Sequence, residues 1–169
     1  MTAEQNSGDG SLDHLYQRPG FLLRRAHQIS AALFLEEVAG SGITTTQYGA
    51  MVALRARGSL DQIGIATLVG IDRSTTALVV SKLEESGYIE RHDDKIDKRR
   101  KVITLSRSGH AVLDQVSLPA ERARKRALEP FSAKDAAKFL ALLERFVGAF
   151  NEQTRAPIKS ASRKITAKS

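Results

Sequence analysis

None of the 169 residues is a cysteine. That one absence excludes disulfide frameworks, cysteine zinc sites, thiol catalysis and thiol redox sensing. No apolar run approaches the roughly 20 residues needed to span a bilayer. The N-terminus is acidic and polar and lacks the apolar core of a signal peptide, so a cytoplasmic protein with no membrane partner is expected. The histidines are His14, His27, His92 and His110. They include no i, i+3 or i, i+4 pair, which argues against a metal site. No Ser/His/Asp order, Gly-rich phosphate loop or paired-carboxylate setting stands out. Asp93 and Asp94 are more simply solvated on a hairpin tip, so neither an enzyme nor a cofactor is expected.

What the chain does have is positive charge. The formal net charge is +7 and the isoelectric point about 9.9, a balance that favours an anionic partner, nucleic acid first among them. The length allows one domain with a real core, or a small one with an appendage.

The organising stretch is residues 59–91, SLDQIGIATLVGIDRSTTALVVSKLEESGYIER. Ser59 or Asp61 can cap a first helix, and Ser59 with Gln62 has capping-box spacing. Ile65, Ala66 and Val69 give that helix an apolar side, and Gly70 ends it. Asp72 can cap a second helix. There Thr76, Val79, Val80 and Leu83 fall at i, i+3, i+4 and i+7, which turns one stripe inward. Arg73, Ser74, Thr75, Ala77, Leu78, Ser81 and Lys82 are left outside. Gly87 closes the helix. Two short helices with this arrangement form a helix-turn-helix, whose second helix enters the DNA major groove.

Tyr88 to Arg91 read as a strand, His92–Lys98 as a polar tip and Arg99–Leu105 as the returning strand. A hairpin after a recognition-type helix is a wing, which lies along the phosphate backbone or reaches the minor groove. Arg91, Lys95, Lys98, Arg99 and Arg100 are its candidate contacts; Lys101 continues the basic run.

On the N-terminal side, residues 1–11 are expected to be disordered. Leu12–Pro19 reads as a short lead-in helix. Pro19 suits the first turn of a longer helix, with Phe21 to Val38 following. Arg24 and Arg25 fit either a solvated face or a pocket for a carboxylate or phosphate. Thr44 and Gln47 form a second capping-box match, and Gly58 stops the helix that follows.

C-terminal to the wing, Ser106 can cap a long helical stretch to about Leu128. Pro119 predicts a kink or break within it. The segment 121–126 is its basic end. Ser132 with Asp135 resembles another capped start. Phe139, Leu142, Leu143, Phe146, Val147 and Phe150 then form an apolar stripe about three turns long. That stripe is too long for a winged-helix unit alone to cover, and it reads as a dimerisation element. From Arg155 onward the tail has five basic residues and no acidic ones, and is expected to be disordered and to attract phosphate.

The order of elements, together with ITTTQYGAMVAL, GIDRSTTALVVSKLEESGYIER and DKRRKVITLSRSG, resembles the MarR family of winged-helix transcription regulators. The match runs from about Phe21 to Phe150, and Asp97-Lys98-Arg99 stands where the family usually has D-x-R. The resemblance implies a mainly α fold with a small β wing. Residues 12–40 and 107–153 would form a helical dimerisation region, 41–106 the winged helix-turn-helix lobe and 154–169 a basic tail. It also implies a homodimer on a pseudo-palindromic operator in double-stranded DNA, with a small-molecule pocket between dimer region and lobe.

Two departures matter. Leu78 stands where a long basic or polar residue is common, and the wing tip carries Asp93, Asp94 and Lys95 without arginine. Base reading then falls to Arg73, with Thr75, Ala77 and Leu78 against thymine methyls, so A·T-rich half-sites are expected.

More narrowly, YQRPGFLLRRAHQISAALFLEE is similar to the leading helix of family members that control aromatic-acid catabolism, in particular repressors that sense hydroxycinnamoyl-CoA thioesters such as p-coumaroyl-CoA. That resemblance implies an aromatic acyl-CoA or aromatic carboxylate effector. Phe21, Leu22 and Phe34 would face its ring, and Arg18, Arg24, Arg25 or His27 its anionic groups. An effector-independent architectural DNA-binding protein is the alternative in another class.

Overall fold

Five helices begin by the same chemistry. Thr44, Asp61, Asp72, Ser106 and Ser132 each present a side-chain oxygen to the backbone N–H three residues on, at 2.7–3.2 Å, satisfying a donor that the first turn leaves unpaired. At Thr44 the box is reciprocal, since its own N–H donates to Gln47 Oε1 at 2.8 Å. At the start of the helix-turn-helix Asp61 is the cap, not Ser59, because Ser59 is drawn into a strand pairing.

The computed structural model describes residues 12–94 and 101–159. In chain order they form α1 (Asp13–Tyr16), α2 (Pro19–Glu37), α3 (Thr45–Arg57), β1 (Ser59–Leu60), α4 (Gln62–Val69), α5 (Arg73–Glu85), β2 (Ile89–Asp93), β3 (Lys101–Leu105), α6 (Arg107–Leu128) and α7 (Ala133–Phe150), followed by a 3-10 turn, Asn151–Gln153. The sheet is antiparallel in the order β1-β3-β2. Ser59 stands opposite Thr104, and Ile89 opposite Leu105. The fold is mainly helical with a small β wing, as the sequence predicts.

The core lies between α3, α4, α5, the sheet and the first half of α6. Ile43, Met51, Leu54, Ile65, Val80, Leu83, Ile103 and Leu113 are essentially sealed from solvent. Each such side chain contributes about 1.5–3 kcal/mol by leaving water. In α5 the inward stripe is Thr76, Val79, Val80 and Leu83, the four positions that helical periodicity selects. Thr76 is buried with its hydroxyl donating to the Asp72 carbonyl at 2.7 Å, so the one polar member of the stripe is satisfied.

α6 leaves this core and packs along α2. Glu37 accepts from Arg122 Nε at 2.7 Å and from Arg126 Nη1 at 3.0 Å, and Arg126 also meets Glu36 at 2.9 Å. Much of the basic end of α6 is therefore neutralised by α2. Pro119 sits inside α6, which is a single element from Arg107 to Leu128, so the expected break does not occur. The carbonyl deprived of a donor belongs to Gln115, an exposed residue, where water can bond it.

α7 buries none of its residues. Leu142, Phe146, Val147 and Phe150 are exposed, and Phe139 and Leu143 only half-covered. The stripe is therefore not part of the core of the single chain.

Candidate nucleic-acid interface

The capping of α5 orients the reading face. Asp72 Oδ1 accepts from Thr75 N at 2.9 Å and from Ser74 Oγ at 2.6 Å, and its other oxygen accepts from Thr75 Oγ1 at 2.7 Å. The Ser74 hydroxyl, then the Thr75 N–H and hydroxyl, hold the Asp72 carboxyl well below the usual carboxylate range. Both hydroxyls at the tip of the helix are thus turned back onto the cap.

Beyond the cap, Arg73, Ser74, Ala77, Leu78 and Lys82 are exposed and Ser81 half-covered. Leu78 is 61% exposed, a large apolar side chain held in water at the middle of the helix. Arg73 forms no ion pair among the described residues. Lys82 differs: its ammonium meets Glu85 Oε2 at 2.8 Å, and Ser81 donates to Glu85 Oε1 at 3.0 Å. Lys82 first and Ser81 second lower the Glu85 pKa. A phosphate contact by Lys82 has to compete with that exposed pair, which is worth little in water.

On the wing, Arg91 Nε lies 2.8 Å from Glu84 Oε2, tying β2 to the end of α5. His92 Nε2 lies 3.1 Å from Thr104 Oγ1, and Lys101 pairs with Asp93 across the hairpin. Lys95, Lys98, Arg99 and Arg100 lie outside the described residues. The wing is joined to α6 through Ser106, whose hydroxyl donates to Gly87 O at 2.6 Å. Gly109 approaches so closely that a Cβ there would stand 1.9 Å from Tyr88 O.

The effector candidates divide. Phe34 is buried, its ring 5.4 Å from that of Tyr48. With Tyr48, Thr45, Ser117, Glu121 and Arg124 it lines a cavity of about 350 Å³ between α2, α3 and α6. Arg124 is held there by two bonds to Glu121, at 2.8 and 2.6 Å. Arg18, just before α2, and Leu22, Arg24, Arg25 and His27 on its first half instead lie exposed, and Phe21 is half-covered. Phe21 packs on Tyr16 at 5.2 Å between ring centres and lies beneath the Arg24 guanidinium at 5.0 Å. Arg24 and Arg25 both donate to Gln28. In one chain these residues and Phe34 do not share a cavity. Tyr48, Ser117 and Arg124 escaped the sequence reading because they come from three separated helices and nothing in their spacing links them.

Among the described residues no cluster of three or more His, Asp or Glu is placed to share a metal ion, and no single helix is long and apolar enough to cross a membrane.

Comparison with known proteins agrees with this geometry. Residues 43–101 match the MarR family model. A putative transcriptional regulatory protein for the hcr operon of Thauera aromatica is 30% identical over 116 residues, 68% of each chain. The PcaV transcriptional regulator of Streptomyces coelicolor, solved with its natural ligand, superposes with a TM-score of 0.74 at 34% identity, covering 80% of this chain and 95% of that one. BpsR of Bordetella bronchiseptica, solved in a study of how 6-hydroxynicotinic acid regulates its DNA binding, gives 0.74 at 25% identity, covering 79% and 95%. The recognition helix, the wing and these relatives point the same way: the chain belongs to the MarR family of winged-helix transcription regulators.

Proposed function

We propose that two copies of this chain form a cytoplasmic, ligand-responsive repressor of aromatic-acid catabolism genes. In this reading the dimer grips a pseudo-palindromic operator and is released by an aromatic acyl-CoA such as p-coumaroyl-CoA. The observation that carries the proposal is α7, an 18-residue helix with a continuous apolar stripe and no buried residue. Such a stripe is stable in water only when another surface covers it, and a second α7 with the exposed half of α2 supplies a matching apolar face.

Dimerisation sets the DNA geometry. Two α5 helices read both half-sites when they stand about 34 Å apart, one turn of the duplex. An effector wedged between lobe and dimer region favours another spacing. A coupling of about 1–3 kcal/mol then weakens operator binding roughly 5- to 150-fold. At the base edges Arg73 makes the polar contact, and Thr75, Ala77 and Leu78 meet thymine methyls. Ser74, Ser81 and Lys82 lie beside the backbone, as do the wing cations Arg91, Lys95, Lys98, Arg99 and Arg100.

For the effector, the aromatic ring enters the cavity that Phe34 and Tyr48 line, while Arg18, Arg24, Arg25 or His27 meets the CoA phosphates outside. The size of that cavity, about 350 Å³, favours a second reading. It is at the small end for ligand sites and suits a free aromatic acid whose carboxylate meets Arg124. The likeness to BpsR supports the same alternative.

A DNA-release titration separates the two. The full-length protein is bound to a labelled duplex from the promoter beside its own gene, and p-coumarate and p-coumaroyl-CoA are added in parallel. Release by the thioester at far lower concentration supports the first reading, and release by the acid alone supports the second. Equal binding to random duplex with no release by either would leave an architectural protein.

A further inference from the structure

Composition predicts a disordered tail from Arg155 onward, yet residues 154–159 are held against the helix-turn-helix. Asn151 is the clamp. Its side-chain carbonyl accepts from Ile158 N at 2.8 Å and its amide donates to Ile158 O at 3.1 Å. The Asn151 backbone carbonyl accepts from the Thr154 hydroxyl at 2.8 Å. Lys159 N donates to Thr67 O on α4 at 3.2 Å. The Ile158 side chain rests on Gly70, at the turn between α4 and α5. Gly70 has φ +72°, and a Cβ there would stand 2.8 Å from Ile158 Cγ1. The bare glycine thus serves both the turn and the seating of Ile158.

This strap closes one side of a groove of about 710 Å³ whose other walls are α4, the start of α5 and the two wing strands. Among the described residues five cations line it: Arg73 from α5, Arg91 and Lys101 from the wing, Arg155 and Lys159 from the strap. Among the described residues Asp61 is the only acidic one lining it, and one of its oxygens already caps α4. Arg91 and Lys101 have carboxylate partners. Arg73, Arg155 and Lys159 form no ion pair among the described residues. Cations that share a groove with few carboxylates repel one another, and an arriving anion relieves that repulsion.

We propose that residues 154–159 are a third DNA-contacting element beside the recognition helix and the wing, with Arg155 and Lys159 meeting backbone phosphates at the edge of the half-site. The proposal rests on the DNA-binding reading given above. Its contacts are to phosphate, so they strengthen binding to every sequence and steepen the salt dependence.

The test uses the full chain and a random-sequence duplex of about 30 base pairs, titrated by fluorescence anisotropy over a range of salt. Two variants are compared with the wild type: Arg155→Ala/Lys159→Ala, which removes the charges, and Asn151→Ala, which keeps every cation and releases the clamp. The double variant is expected to bind about tenfold or more weakly at moderate salt, with the slope of log K against log salt reduced by about two per protomer. Asn151→Ala is expected to fall between it and the wild type. Circular dichroism melts and size-exclusion chromatography check that fold and assembly are retained.

A double variant that binds like the wild type overturns the proposal. Tighter binding also overturns it, since the strap would then be covering the DNA face. Asn151→Ala matching the wild type while the double variant weakens would place the charges on a loose tail and overturn the docked element. A wild-type protein that binds no duplex sinks the DNA reading itself, an outcome distinct from the others.

Discussion

Glu37, on the last turn of α2, accepts hydrogen bonds from Arg126, on the last turns of α6, at 3.0 Å, and from Arg122 one turn earlier, at 2.7 Å. The Arg122 guanidinium, then that of Arg126, lowers the Glu37 pKa below its ordinary 4.5. A carboxylate whose folded pKa is depressed stabilises the fold above its unfolded value and loses that contribution as pH falls through the folded one. At neutral pH, Glu37→Gln should therefore melt below the wild type. The gap between the two should narrow as pH drops below about 4.5. Thermal melts by circular dichroism across that range check it, and a gap that widens in acid would refute the assignment.

Two helical glycines should respond oppositely to alanine. Gly49, inside α3, has Val69 at an ordinary 3.4 Å from an added Cβ, so Gly49→Ala is expected to be neutral or to stabilise by up to about 1 kcal/mol. Gly109 has the Tyr88 carbonyl oxygen at 1.9 Å. Gly109→Ala must push wing and α6 apart, at a cost of about 3 kcal/mol or more. Urea denaturation of both variants measures the difference.

On DNA, Arg73→Ala and Arg99→Ala should fail in different ways. Loss of a base contact costs about 1–3 kcal/mol at particular positions and relaxes specificity there. Loss of a wing phosphate contact weakens all sequences alike and lowers the salt slope by about one. Binding of both variants to an operator and to its single-base substitutions separates the two roles. Equal loss of specificity would contradict them.

The exposed stripe of α7 makes a prediction about assembly. Phe146→Asp removes no intrachain core, since Phe146 is 45% exposed in the single chain. Helix content should be retained while sedimentation shifts to monomer, and binding to a palindromic duplex should fall toward that of a half-site. A dimer that survives the substitution would move the interface elsewhere.

The local structure of this protein is written in its sequence. Thr44, Asp72, Ser106 and Ser132 cap helices, and Thr76, Val79, Val80 and Leu83 turn inward, because capping and helical periodicity act over one to three turns and need no distant partner. The winged-helix fold followed from these, and so did the exposed outer face of α5. Long-range proximity was not readable in the same way. The sequence does not say that Ser59 pairs with Thr104 while Asp61 does the capping, that α6 passes through Pro119 unbroken, or that Glu36 and Glu37 neutralise the basic end of α6. Nor does it say that Ile158 returns to Gly70 and brings Arg155 and Lys159 beside Arg73. Each of these joins residues far apart along the chain, and the energy that decides them comes from packing and charge pairing, which exist only once the chain has closed on itself.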